Sequence, residues 1–256
     1  MNPGLLLSAL AGAVAAALMG LAAPPVLRHL PTPAHPAPPG SGNRAPGARA
    51  PDTRAPDNQA PDTQGPEAPG PDDIPDYSAL ARVGWVAPLA IAAAVATALV
   101  VLVAPAPWLP LWLTWSSVLV LLAAIDAATT WLPLPLTRIA WLACALATVV
   151  ALPLGAPIAQ VGRVVTGAAI CGLGYVVLWS VGRGLGFGDV RMAPMIGALG
   201  ASLSWDAWWL AILAGSTLGA LWGIGRHLTG RRGSYAYGPW LWVGPGVALA
   251  AAALVP

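Results

Sequence analysis

Apolar runs of about twenty residues recur along this 256-residue chain, and only 9% of its residues are charged. A helix needs about 20 consecutive apolar residues to cross the hydrocarbon core of a bilayer. The sequence therefore predicts an all-α fold, a polytopic bundle of about eight transmembrane helices in a lipid bilayer. The predicted spans are residues 4–23, 83–104, 108–125, 137–156, 161–182, 190–203, 206–225 and 239–255. The span at 190–203 is short and contains Gly and Pro, so a tilted, partial or re-entrant segment is an alternative there.

Residues 31–77 have a different composition, rich in Pro, Ala, Gly, Asp, Thr and Gln, with proline every five residues from Pro46 to Pro71. A segment with so few large apolar side chains cannot bury enough surface to offset its ordering entropy, so we expect a disordered tether. The predicted organisation is a first transmembrane helix at 1–30, a disordered cytoplasmic loop at 31–77 and a membrane domain at 78–256. The start of the chain carries no basic residue, which favours an uncleaved first span over a cleavable signal, although the latter stays open.

The arginines are distributed asymmetrically about the predicted spans. If the first helix runs from outside to inside, all of them except Arg163 lie on the cytoplasmic side. The positive-inside rule predicts such an asymmetry. Trp108, Trp112 and Trp115 fall near one outer turn, and three further tryptophans fall at 205–209, so we expect them to anchor the outer interface.

Two carboxylates stand in apolar surroundings, and ionisable groups in or beside membrane helices are functional candidates by default. Asp126 ends one predicted span and Asp189 begins another. Two crossings lie between them, so both are expected at the cytoplasmic ends of their helices. The third acidic residue after position 77, Asp206, falls in an outer turn, where a loop or N-cap position explains it.

Two carboxylates held close together in a low-dielectric site cannot both ionise easily, and they keep one proton between them. Such a pair supplies a general base and a general acid side by side, as in aspartic proteases, which activate water against a peptide carbonyl. The structural alternatives are ion pairs, of Asp126 with Arg138 and of Asp189 with Arg183 or Arg191. Glycines at 184, 186 and 188 allow unusual backbone conformations and the close approach of a neighbour or a bound chain.

The run Gly186-Phe-Gly-Asp189-Val-Arg191 resembles the Gly-x-Gly-Asp motif of the prepilin peptidase family of membrane aspartic peptidases, with Arg191 where Lys is usual. The run Asp126-Ala-Ala-Thr129-Thr-Trp-Leu-Pro133 resembles the other aspartate motif of that family, without the Arg often found between the Asp and the Thr. Gly238-Pro239 resembles a Gly-Pro pair ahead of a final span. The resemblance covers about residues 80–256.

This resemblance implies a membrane-embedded aspartic endopeptidase that cleaves the leader of type IV prepilins or pseudopilins at the cytoplasmic face of the bacterial plasma membrane. It implies that Asp126 and Asp189 are the catalytic pair. The residues implied to bind substrate or shape the backbone are Gly186, Phe187, Gly188, Thr129 and Pro133.

Many members of this family also methylate the new N-terminus and carry paired Cys-x-x-Cys motifs in a loop after the first helix. This chain has two cysteines, Cys144 and Cys171, both within predicted spans, where small packing residues are the simplest interpretation. We therefore expect peptidase activity without an N-methyltransferase domain, with no metal and no cofactor.

Three other interpretations stay open: a different intramembrane protease, a proton-coupled small transporter and a catalytically inactive assembly factor. A different Gly-x-Gly-Asp intramembrane protease usually has Tyr before the first aspartate, where Ile125 stands here. A proton-coupled small transporter would use the two aspartates as a relay, preferably at mid-membrane depth. The expected partners are a pilin-like substrate and the bilayer, with no nucleic acid. The sequence leaves the oligomeric state and the particular pilin open.

Overall fold

The computed structural model describes residues 3–31, 76–182, 186–230 and 235–254. Eight main helices are present in these ranges, without any β-strand, so the predicted all-α fold is confirmed. The helices are α1 (Pro3–His29), α2 (Val83–Val103), α3 (Ala106–Thr129), α4 (Leu134–Val150), α5 (Ile158–Val181), α6 (Phe187–Leu203), α7 (Trp205–Leu228) and α8 (Gly238–Ala252). Residues 32–75 of the predicted disordered loop lie outside the described ranges, so that part of the domain division stays a prediction.

Five of these helices, α1, α2, α3, α5 and α7, are long and apolar enough to cross a membrane. The other three, α4, α6 and α8, contain 17, 17 and 15 residues. At about 1.5 Å per residue they are shorter than a hydrocarbon core of about 30 Å. The chain is therefore a multi-pass membrane protein whose described part combines long spans with three shorter helices.

Two helix ends, those of α1 and α4, differ most from the predicted spans. α4 ends at Val150 because residues 151–155 form a turn that contains Pro153 and ends at Gly155, whose φ is +97°. The residue before a proline is disfavoured in a helix, and glycine readily adopts a positive φ. α1 continues past residue 23 to His29, because Ala23 and Leu27 in its last turns are buried in the bundle.

The short helix α6 is the centre of the bundle. It contacts α4, α5, α7 and α8, and twelve of its 17 residues are buried. The segment predicted as short and proline-containing is one continuous helix with Pro194 inside it. Small residues let its neighbours come close: the backbone at Gly197 faces Cys171 of α5, and the backbone at Gly200 faces Trp208 of α7. Small residues serve the same purpose at helix contacts in membranes generally.

The tryptophans of α3 lie in the core, so the prediction that they anchor an interface is wrong for them. Trp108, Trp112 and Trp115 are all buried. The indole N–H of Trp112 donates to Ser202 Oγ at 3.1 Å. Trp115 and Trp242 of α8 exchange indole-to-carbonyl hydrogen bonds of 2.9 and 3.1 Å, with their rings stacked at 5.0 Å. This reciprocal bond pair joins α3 to α8.

Arg163, the one arginine predicted outside, caps a helix. Its guanidinium donates to the carbonyls of Ala201, at 2.6 Å, and Leu203, at 2.9 Å. These carbonyls belong to the last turn of α6, where backbone acceptors lack intrahelical partners. Asp206 is exposed and is the second residue of α7, whose N-cap is Ser204, so the predicted loop or N-cap position is wrong by two residues.

The contact between α5 and α6 yields a stability prediction. A Cβ on Gly197 would lie 2.6 Å from the Cβ of Cys171, whereas a Cβ on Gly174 of α5 would meet nothing within 4 Å. We expect Gly197→Ala to lower the free energy of unfolding by about 1–3 kcal/mol because it overpacks the helix contact. Gly174→Ala is the matched control and should be neutral or slightly stabilising. Unfolding in mixed micelles measures both, and equal effects would contradict the close α5–α6 contact.

Candidate active site

The two aspartates meet at one end of the bundle. Asp126 lies in the last turns of α3 and Asp189 in the first turn of α6. Their side chains are only 4% and 6% exposed, and their carboxylates are close enough for their charges to interact. The crossings of α4 and α5 return the chain to the end that α3 reached, as the number of predicted spans implied. The structure therefore brings the two predicted catalytic residues together, while their catalytic role stays a prediction.

The carboxylate of Asp126 is held by the start of α8. The backbone N–H of Gly238, the first residue of that helix, donates to Asp126 Oδ2 at 2.8 Å. A helix N-terminus carries partial positive charge and stabilises an anion placed there. Within the described ranges this amide is the hydrogen-bond donor to the carboxylate of Asp126. The side chain of Arg138, the suggested ion-pair partner, is exposed.

Asp189 lies at a helix N-terminus too. Gly186 is the N-cap of α6, and its carbonyl accepts the backbone N–H of Asp189 at 3.1 Å. The guanidinium of Arg191 lies 4.8 Å from the ring centroid of Phe187, in a cation–π contact. Arg191 is thus engaged with an aromatic ring, while Arg183, the other suggested ion-pair partner, falls outside the described residues.

The side chain of Phe187 is exposed, unlike those of the two aspartates. Its side chain is 47% exposed, and its ring meets that of Trp179 edge to face at a centroid distance of 5.2 Å. Phe187 is therefore an exposed aromatic ring two residues before a buried carboxylate.

The glycines before Asp189 provide space rather than unusual backbone angles. Gly186 has a φ of −70°, which any residue can adopt, and Gly188 lies inside a helix, so the expectation of special conformations is wrong for both. A Cβ on Gly186 would lie 3.3 Å from Asp189 Oδ2, and a Cβ on Gly188 would lie 2.8 Å from Leu132 Cδ1. The expectation of close approach is therefore confirmed for these two positions. Residue 184 is outside the described ranges.

Thr129 and Pro133 shape the turn between α3 and α4. Thr129 Oγ1 donates to the carbonyl of Ile125 at 2.9 Å and accepts the N–H of Trp131 at 3.2 Å. The carbonyl of Pro133 accepts from Thr137 Oγ1 at 3.0 Å in the first turn of α4. These bonds stabilise the last turn of α3 and the first turn of α4. The turn that they define carries Leu132 onto Gly188, so the two aspartate motifs are in direct contact.

The amide of Gly238 was absent from the predicted site. Gly238-Pro239 stood out in the sequence only for its resemblance to the Gly-Pro pair that precedes a final span in the prepilin peptidase family. The direction of a backbone N–H has no sequence signal of its own, so its contact with Asp126 could be found only in the structure.

Cys144 and Cys171 are buried and unpaired, as expected for packing residues. Within the described ranges, no group of three His, Cys, Asp or Glu side chains is arranged to hold a metal ion.

Comparison with known proteins found one family model that matches part of the chain. The model of the Type IV leader peptidase family matches residues 113–224. This segment begins within α3, ends within α7 and contains both Asp126 and Asp189. The resemblance found from the two aspartate motifs is therefore confirmed, and it supports a peptidase. Searches among curated proteins and among solved structures gave no significant match.

The contact between the two motifs can be tested by a double-mutant cycle on stability. Gly188→Ala should lower the free energy of unfolding because the new Cβ displaces Leu132. The same change in a Leu132→Ala background should cost less, with a coupling of about 0.5–1 kcal/mol. Unfolding of the four proteins in mixed micelles gives the coupling energy. A value of zero would mean that the two motifs do not touch.

Proposed function

We propose, on the premise that residues 113–224 belong to the Type IV leader peptidase family, that the chain is a membrane-embedded aspartic endopeptidase. Its substrates are type IV prepilins or pseudopilins, from which it removes the leader at the cytoplasmic face of the plasma membrane. The observation that carries the proposal is the interaction of two buried carboxylates, on Asp126 and Asp189, at the meeting of two helix ends.

In the proposed reaction the pair holds one proton. The amide of Gly238 stabilises negative charge on Asp126, so Asp126 is the base and Asp189 carries the proton. Asp126 takes a proton from water as the water oxygen attacks the scissile carbonyl, and Asp189 gives its proton to the carbonyl oxygen. Collapse of the tetrahedral intermediate returns a proton to Asp189 from the new hydroxyl, and Asp126 protonates the leaving amine.

The placement of the pair supports cleavage at the cytoplasmic face. Asp189 lies in the first turn of α6, and Arg163 caps the opposite end of the same helix. If the arginine asymmetry sets the orientation, the aspartates are at the inner face. A polar, basic leader would then stay in the cytoplasm while the apolar segment of the substrate remains in the bilayer. The two cysteines are both buried in helices, and we expect no methyltransferase activity of the zinc-dependent kind.

The same placement argues against a proton-coupled transporter. A relay would favour carboxylates at mid-membrane depth, whereas Asp126 lies in the last turn of α3, which ends at Thr129, and Asp189 lies in the first turn of α6.

Single substitutions test the catalytic assignment. Asp126→Asn and Asp189→Asn should each lower the rate of leader removal by at least about 100-fold, because each removes one partner of the acid–base pair. Asp206→Asn is the matched control and should process normally. Asp206 is exposed in the first turn of α7, next to the end of α6 that is opposite Asp189. Co-expression with a candidate prepilin, with leader loss followed by gel shift, provides the measurement.

The level of inserted protein must be equal in all four strains for this comparison. Wild-type processing by either dyad variant would overturn the assignment. A wild-type protein that cleaves no prepilin but moves protons in vesicles would overturn the peptidase proposal itself.

A further inference from the structure

We propose that the corner formed by Tyr237 and Gly238, at the start of α8, is a positioning element for Asp126. Gly238 fixes the carboxylate through its amide, and Tyr237 fixes Gly238 by docking on α7. The kinetic consequence rests on the proposed function, whereas the geometric claim can be tested without it.

The start of α8 packs closely against the side chain of Asp126. Gly238 is buried, and its N–H donates to Asp126 Oδ2 at 2.8 Å. A Cβ on Gly238 would lie 2.8 Å from Oδ2 and 3.2 Å from Asp126 Cβ. The backbone of α8 therefore packs directly on the side chain of the acid, and only glycine leaves room for this.

Tyr237 docks on α7. The ring of Tyr237 lies against the backbone of Gly219, where a Cβ would collide with it. Its hydroxyl interacts with the side chains of Ser216 and Tyr175, which contact each other at 3.2 Å. Tyr235 adds a hydrogen bond of 3.2 Å to the carbonyl of the same Gly219. A partly buried aromatic ring whose hydroxyl interacts with polar neighbours is well suited to hold a chain segment in one place.

The corner lies close to both acids and is attached to a third helix. The Tyr237 hydroxyl is near enough to the carboxylate of Asp189 for an electrostatic interaction. Beyond Gly238, the reciprocal bonds between Trp242 and Trp115 attach α8 to α3, the helix that carries Asp126. The amide of Gly238 is thus held from α7 on one side and from α3 on the other, which leaves it little freedom relative to the carboxylate.

Catalytic groups must be held to within a fraction of an ångström, and a displacement of about 1 Å can reduce a rate about 100-fold. A larger residue at Gly219, on the surface of α7 that Tyr237 contacts, should therefore displace Tyr237 and Gly238, and with them the carboxylate of Asp126. Gly225 offers a matched control on the same helix, because a Cβ there would meet nothing within 4 Å.

The geometric claim can be measured on a single amide. Tyr237-Gly238 is the only Tyr-Gly pair in the chain, so labelling tyrosine with ¹³C at the carbonyl and glycine with ¹⁵N selects the Gly238 amide in a carbonyl-edited spectrum of the full-length protein. We expect this resonance to move in Asp126→Ala and in Gly219→Ala, and to stay in place in Gly225→Ala. A resonance unmoved in Asp126→Ala would overturn the hydrogen bond, and one unmoved in Gly219→Ala would overturn the role of Tyr237.

The kinetic arm uses prepilin cleavage at equal amounts of inserted protein. Gly219→Ala should lower kcat about 10-fold or more with KM within about twofold of wild type, and Gly225→Ala should leave both unchanged. An unchanged kcat, or a change confined to KM, would overturn the positioning role.

If wild type cleaves no prepilin, the proposed function fails separately, and the amide resonance alone decides whether the corner holds Asp126. If Gly219→Ala does not insert, Asp126→Ala still decides the hydrogen bond, and Tyr237→Phe, which keeps the ring and removes the hydroxyl, decides the docking by the same resonance.

Discussion

The structure depends on the burial of two carboxylates at one end of an apolar bundle. Burying an anion without compensation is strongly unfavourable, and two neighbouring anions are worse. Helix N-termini provide the compensation, since α8 presents an amide to Asp126 and Asp189 lies in the first turn of α6. The second means is chemical, because the pair can share one proton. Both arrangements require α3, α6 and α8 to meet at the same place.

Small residues make this meeting possible. α6 is too short to cross a bilayer comfortably, yet it is the most enclosed helix of the described bundle because its glycines and alanines let α5 and α7 approach. Around the carboxylates the same device recurs: Gly188 leaves room for Leu132, Gly186 for the side chain of Asp189, and Gly238 for Asp126. The glycines of the site thus act mainly by the absence of a side chain, since Gly186 and Gly188 both have ordinary backbone angles.

The sequence predicted the parts of this site that depend on side-chain type and on the number of crossings. Asp126 and Asp189 are exceptional in apolar surroundings, and two intervening spans require them to share a face. Other parts depend on which face a helix turns toward its neighbours, which hydropathy does not encode. Trp112 and Trp115 therefore looked like interface anchors although they are buried. The amide of Gly238 was missed because every residue except proline carries one, and only packing directs it at a carboxylate.

The central claim, that the side chains at 126 and 189 face each other, can be tested most directly by cross-linking. Asp126→Cys/Asp189→Cys would be made in a background with Cys144→Ser and Cys171→Ser, and with a protease site in the turn at 151–157. After treatment with a short bifunctional thiol reagent and cleavage, the fragments should stay joined. The pair Leu132→Cys/Gly188→Cys is a positive control, with Cβ atoms 3.6 Å apart. Fragments that separate as readily as those of an Asp126→Cys/Asp206→Cys pair, while this control stays joined, would contradict the account.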